Sequence, residues 1–355
     1  MVKSHILKKS FNDFWKRIPK KLNHSVKSVP TAAEGFMSKL RTFKGGLTLT
    51  CLLFLIIIPL FTNNTFYLGI FMMAFIYSIY ASSWDFMTGY TGLVSFGHSI
   101  FLGLAGHGTS AGLRFLGFNW LTSLLFGSIL STVIGVLIAI PCLRLKGPYL
   151  ALTLLSISMI LWALLLMGEL SEIWPIFGSE GISRVPTLSP DPIIEYIVTF
   201  IIMVLSLGIL KALGNAKFGR VLNSIRDDEK GSEASGINTA KYKILAFMIS
   251  GFFAGIAGGL FAMHNRGVDP GRFQPLYSFY PIIMVAVGGL ATVSGGALGA
   301  FIFVFLNEIL IELAPWAPLF VFSIILMIIV RFAERGIMRP AIERIKELWD
   351  LLLGR

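Results

Sequence analysis

Ten apolar blocks run along the chain, at about residues 47–62, 66–84, 93–112, 121–143, 149–167, 193–213, 244–263, 279–292, 297–313 and 319–331. Their lengths approach the roughly 20 residues an α-helix needs to cross a hydrocarbon core. Lipid offers backbone N–H and C=O groups no partner, so blocks of this kind span it as helices. The stretches 93–112 and 279–292 are rich in glycine and read as broken or half-length helices. The pattern therefore predicts an all-α, polytopic membrane protein of about ten transmembrane helices. The polar segments between the blocks then divide it into a basic extension (1–46), a membrane domain (47–331) and a short tail (332–355).

Charge orients this arrangement, because cytoplasmic flanks are rich in Lys and Arg. With the N-terminus inside, ten crossings bring the C-terminus inside too. Of the 30 Lys and Arg, 26 then fall inside: 11 in residues 1–44, Arg144 and Lys146, seven in 211–243 and six in 331–355. Only Arg114, Arg184, Arg266 and Arg272 fall outside. The opposite orientation reverses this split and is rejected. Both termini and the loop 214–243 are expected in the cytoplasm, and the chain in the cell (inner) membrane.

Composition narrows the functions. The chain has 355 residues, 55% hydrophobic and only 14% charged, with mean hydropathy +0.77, whereas soluble domains carry about 25% charged residues. The net charge of +11 follows the cytoplasmic flanks, so it marks topology and attraction to anionic lipid and not a nucleic-acid partner. Cys51 and Cys142 lie inside apolar blocks and form no disulfide framework. No Cys/His cluster suggests a metal, and nothing suggests a cofactor or a catalytic centre. Residues 1–46 lack the early apolar region and cleavage site of a signal peptide. In the tail, Ile342, Ile345, Leu348, Trp349 and Leu352 recur at helical spacing among basic residues, which suits a helix lying in the inner interface.

Glycines mark where helices meet closely. Gly251, Gly255 and Gly259, and Gly295 with Gly299, follow the small-xxx-small spacing that lets helix backbones approach in lipid. Gly-rich runs at 89–108 and 288–299 give each half of the chain one interrupted segment, and transporters place such segments near the substrate path. Ionisable residues in the blocks are few: Asp85, His98, His107 and Glu308. They suggest no carboxylate relay for an ion-driven carrier. The chain also lacks the G-x-x-x-x-G-K-[ST] loop that cradles ATP phosphates. A transport-like domain without its own energy source points to an outside motor.

The loop "FGRVLNSIRDDEKGSEASGINTAKYKILAF" is the longest polar run in the body of the chain. Its segment 227–236 reads as a short helix. Asp227 is the expected N-cap, Asp228 and Glu229 fall in the first turn, where the helix dipole favours negative charge, and Gly236 is the expected C′ residue. A helix of about eight residues is marginal alone in water and more credible when docked into a partner.

Six segments in order carry a family resemblance: "GYTGLVSFGHSIFLG", "LRLKGPYLALTLLSIS", "GSEGISRVP", the central run from "FGRVLNS" to "GGLFA", "VAVGGLATVSGGALGA" and "RFAERGI". Over about residues 50–337 the chain resembles the LivM-type permease subunits of branched-chain amino acid ABC importers. The resemblance implies a heteromer with a second, LivH-like permease, two ABC ATPase subunits and an extracytoplasmic solute-binding protein, within membrane lipid. It places Arg226, Asp227, Asp228, Glu229, Glu233, Ala234 and Gly236 in the loop that couples to the ATPase. Ser95, His98, Thr153 and Ser156 are candidates to line the substrate pathway. The sequence departs from the family at Asp85, where Asn is common, at Leu93 in place of Gln, and at Ala105–Gly108. These departures leave the solute open between branched-chain amino acids and urea or another small polar solute. A stand-alone secondary carrier and a non-transporting scaffold are the rivals of other classes.

Overall fold

The computed structural model describes residues 43–62, 64–143, 145, 147–167 and 180–332. Most of the basic extension, Arg144, Lys146 and the amphipathic tail lie outside the described residues. Thirteen segments among the described residues are helical. Helix α1 (Phe43–Phe61) belongs to a unit of its own. The second unit contains α2 (Thr65–Thr91), α3 (Ser99–Arg114), α4 (Trp120–Cys142), α5 (Pro148–Leu166), α6 (Pro192–Asn215), α7 (Lys217–Asp227), α8 (Glu229–Ala234), α9 (Thr239–His264), a 3-10 turn (Pro270–Phe273), α10 (Pro275–Gly288), α11 (Ser294–Leu313) and α12 (Ala317–Phe332). Two strands of two residues each, β1 (Ile182–Ser183) and β2 (Gly267–Val268), pair antiparallel, a small ladder that the all-α expectation omitted.

Every predicted apolar block overlaps one of these helices. Six of them, α2, α4, α5, α6, α9 and α11, are long and apolar enough to cross a membrane. The protein is therefore a mostly helical, polytopic membrane protein. Local sequence sets many of the helix ends. Asn64, Asn119, Asp191 and Asn238 cap α2, α4, α6 and α9 by accepting a backbone N–H from the first turn, which satisfies donors a helix start leaves open. Pro148, Pro192 and Pro275 each open a helix, where the missing N–H costs nothing.

Helices α2 and α9 form the centre. Residues 74–91 of α2 are buried without a break, and α9 packs against α2, α3 and α4. At Gly255 the α9 backbone lies so close to α4 that a Cβ would fall 2.8 Å from Ser128 Cα. The glycine spacing read from the sequence is thus a packing device, since lipid supplies no hydrophobic drive between helices.

Two regions of the second unit lie at opposite ends of α9, whose 26 residues span roughly 39 Å. One region gathers β1, β2 and the C-terminal end of α3, where Arg114 donates to the Ser183 carbonyl and Val185 N–H to the Arg266 carbonyl at 2.9 Å. The other gathers the end of α2, the helices α7 and α8 and the turn 289–293.

The two Gly-rich stretches are interrupted, with different boundaries from those expected. Residues 92–98 are irregular before α3 begins at Ser99. The block 279–292 is helical only to Gly288, and the helix starts earlier, at Pro275. Both helices are short, with 16 and 14 residues. Their starts meet: Ser278 Oγ accepts the Ser99 N–H at 3.0 Å and donates to Ser99 Oγ at 2.8 Å, and Ser99 Oγ donates to the Phe273 carbonyl at 3.2 Å.

Candidate functional site

The polar loop 214–243 is almost entirely helical. Helix α7 is amphipathic, with Gly219, Leu222 and Ile225 buried. It ends at Asp227, so Asp227 is not the cap of the next helix. Asp228 is: its backbone is extended, and Oδ1 accepts the Gly231 N–H at 3.0 Å. The sequence offered two adjacent aspartates, and the amphipathic face of α7 decides between them by carrying the first helix one residue further. Helix α8 then closes as expected. Gly236 has φ +84°. Its N–H donates to the Glu233 carbonyl at 2.9 Å, and the Ile237 N–H reaches the Ser232 carbonyl at 3.1 Å. These two bonds are a Schellman closure, which needs a left-handed residue at Gly236.

The α8 helix is braced on both flanks. Ser224 and Ser232 hydroxyls meet at 2.9 Å. Glu233 Oε1 accepts from the Thr239 hydroxyl at 2.7 Å. Lys243, whose side chain is 9% exposed, pairs with Glu229 at 2.5 Å. Arg226 pairs with Asp227 at 3.0 Å and donates from Nη1 to the Gly89 carbonyl of α2 at 2.8 Å. Phe218 stacks on Phe86 of α2 with ring centroids 6.4 Å apart. Of the predicted loop residues, Arg226, Asp228, Glu229, Glu233 and Gly236 thus have defined local roles, Asp227 supports Arg226, and Ala234 ends α8. The partners Ser224, Ser232 and Lys243 were missed. Nothing in a polar run separates a solvated Ser or Lys from one that fastens two helices.

The predicted pathway residues separate into two groups. Ser95 and His98 are fully buried in the irregular segment leading into α3. Ser83 Oγ spends its hydrogen on the Tyr80 carbonyl at 2.7 Å, so the 3.0 Å contact between Ser83 Oγ and His98 Nε2 requires the imidazole to donate. His98 Nδ1 is then an acceptor, and it has no hydrogen-bond partner; neither has Ser95 Oγ. Thr153 and Ser156 lie instead on α5, partly buried and exposed respectively. Their hydroxyls donate back to the Tyr149 and Leu152 carbonyls at 2.8 and 3.0 Å, the usual way a helix hides a hydroxyl. They share no hydrogen bond with Ser95 or His98.

An apolar cavity of about 580 Å³ lies beside α3, α4 and α5. None of the four predicted residues lines it. Its polar member, His107, donates from Nδ1 to the Gly103 carbonyl at 2.9 Å, and no charged side chain reaches it. It has room for hydrocarbon, no charged group to pair with an ammonium or a carboxylate, and one unpartnered acceptor, His107 Nε2. Among the described residues no cluster of His, Cys, Asp or Glu suits a metal ion.

Comparison with known proteins agrees with this architecture. Residues 66–331 match the family described as branched-chain amino acid transport system / permease component. The high-affinity branched-chain amino acid transport system permease protein LivM of Escherichia coli K12 is 26% identical over 318 residues, covering 81% of this chain and 74% of its own. A probable LivM of Methanocaldococcus jannaschii is 27% identical over 232 residues, covering 61% and 67%. The autoinducer 2 import system permease protein LsrC of Yersinia pseudotuberculosis is 27% identical over 238 residues, covering 64% and 65%. No solved structure matches. With the family match extending over most of the chain and ending within α12, the protein belongs to the family of permease components of branched-chain amino acid transport systems.

Proposed function

We propose that this protein is the LivM-type subunit of an ATP-driven importer, carrying branched-chain amino acids that an external binding protein delivers. It pairs with a second related permease and with two ATPase subunits. Residues 227–236 are the peg that seats in an ATPase groove. The observation that carries this reading is the construction of that peg. A six-residue helix would melt alone in water, yet α8 is capped, closed by a glycine in the left-handed region and tied to α9 and, through Arg226, to α2. A solvated connector needs none of this.

The chain crosses the membrane ten times in this reading, with both termini and 214–243 in the cytoplasm. Two sets of contacts support it. Arg114, β1 and β2, which the charge pattern assigns to the outside, touch one another. Gly89 and Arg226, assigned to the inside, also meet, and Ala291, at the inner end of the eighth block, donates to Asp85 beside them. Ser95 and His98 line the solute path, with Thr153 and Ser156 on α5 nearby in the same route. Support comes from the place of Ser95 and His98 in the break before α3, where each carries an unpartnered polar atom, as do five other side chains among the described residues, His107, Thr109 and Ser110 of α3 among them. Uptake into vesicles carrying the assembled complex tests the solute. Leucine, isoleucine and valine should compete with one another, and urea should not. Uptake of urea in preference to leucine would refute the assignment.

A further inference from the structure

Asp85 lies in the last two turns of α2 and is fully buried. It takes part in none of the ion pairs among the described residues. Its oxygens are instead engaged by three successive backbone amides. Oδ1 accepts from Ala291 at 2.6 Å, and Oδ2 from Thr292 at 2.9 Å and Val293 at 2.8 Å. Consecutive N–H groups of this kind form an anion-binding concavity. The turn that presents them is unusual: φ is +107° at Gly289, +57° at Ala291 and +42° at Val293. Residues with a Cβ seldom adopt such angles, and they persist only where the surroundings hold them.

One helical turn beyond Asp85, the Gly89 carbonyl accepts from Arg226 of α7. A Cβ at Gly89 would lie 2.7 Å from Asp85 Oδ1 and 2.8 Å from Ala291 Cα. The end of α2 is therefore held between the loop 214–243 and the turn 289–293. That turn joins α10 to α11. The two helix backbones touch at Gly288 with Gly295 and at Gly299 with Met284, so closely that a Cβ would overlap. From α10, Ser278 holds Ser99 at the start of α3, next to His98.

We propose that Asp85 is a positioning residue of the transport cycle: its carboxylate clamps the turn 289–293 to the end of α2, so that displacement of the loop 214–243, passed to α2 through Arg226, reaches α10, α11 and the start of α3. This rests on the importer reading above. A clamp of this kind couples two sites through one element that both contact, and coupling evidence is its proper test.

The test uses the reconstituted complex of permeases, ATPases and binding protein, with leucine as solute and ATPase co-purification as the check on assembly. Asp85→Ala removes all three acceptor contacts. The leucine moved per ATP hydrolysed should fall by about tenfold, within the usual range of coupling between sites, while hydrolysis stays near the wild-type rate. Asp85→Asn keeps one acceptor oxygen and should fall between. Arg226→Ala should lower uptake by itself but add little in the Asp85→Ala background, because two cuts in one linkage are not additive. An unchanged ratio, a parallel fall of uptake and hydrolysis, or two losses that simply multiply would overturn the proposal and leave Asp85 a structural fastener. If Asp85→Ala does not assemble, the ratio in Asp85→Asn decides by the same outcomes. Absence of ATP-dependent uptake by the wild-type complex would overturn the importer reading instead.

Discussion

At the scale of single residues, burial and hydrogen-bond bookkeeping separate the candidates that the sequence placed side by side. Four hydroxyl or imidazole residues were legible as polar positions in apolar blocks. Their difference was not legible, because it depends on where each side chain finds a partner. Thr153 and Ser156 use their own helix; Ser95 and His98 sit in a segment with no helical carbonyls to use. Replacing His98 by Leu removes its bond to Ser83 and the unpartnered acceptor at Nδ1. The variant should assemble with its partners at near-normal yield, and leucine uptake should fall by about tenfold or more, a change of roughly 1.4 kcal/mol in the barrier. Purification yield and initial uptake rate, measured side by side, check it. Normal uptake would make His98 a packing residue that satisfies Ser83 alone.

At the scale of elements, the short helix at 229–234 was readable from its punctuation: an aspartate before it, acids in its first turn, a glycine after it. What the sequence could not supply was α7. Its apolar face of Leu222 and Ile225 is hidden in a polar run, so the whole segment reads as one loop with one small helix. The same blindness shifted the cap by one residue. Gly236 has open space around its would-be Cβ, so Gly236→Val costs only backbone strain, about 1–2 kcal/mol for a left-handed residue. Glu233→Arg removes the acceptor of the Thr239 hydroxyl and reverses a charge on the peg. Both variants should insert at normal levels and lose ATPase co-purification or binding-protein-stimulated hydrolysis. Retention of both properties would reduce the loop to a connector.

At the scale of the whole molecule, the block pattern anticipated the apolar helices, since every block overlaps one. The contact between the starts of α3 and α10 was beyond reach, since a serine in each half carries no signal of pairing. The orientation is open to direct labelling. In a background with Cys51 and Cys142 replaced by Ala, a single cysteine at exposed Ser183 should react with an impermeant maleimide from outside intact cells. One at exposed Ser235 should react only after permeabilisation. Ser232, although in the same loop, is buried against Ser224 and would report burial instead of sidedness. The reverse labelling pattern would invert the topology.

The central claim is that this chain moves solute only as part of an ATP-driven assembly. It is tested most directly by leucine uptake into proteoliposomes that hold either this chain alone or the complete complex, with and without ATP, at zero and at imposed ion gradients. Uptake is expected from the complete complex with ATP and binding protein, and none from the chain alone under any gradient. Gradient-driven uptake by the chain alone, without ATP, would contradict it.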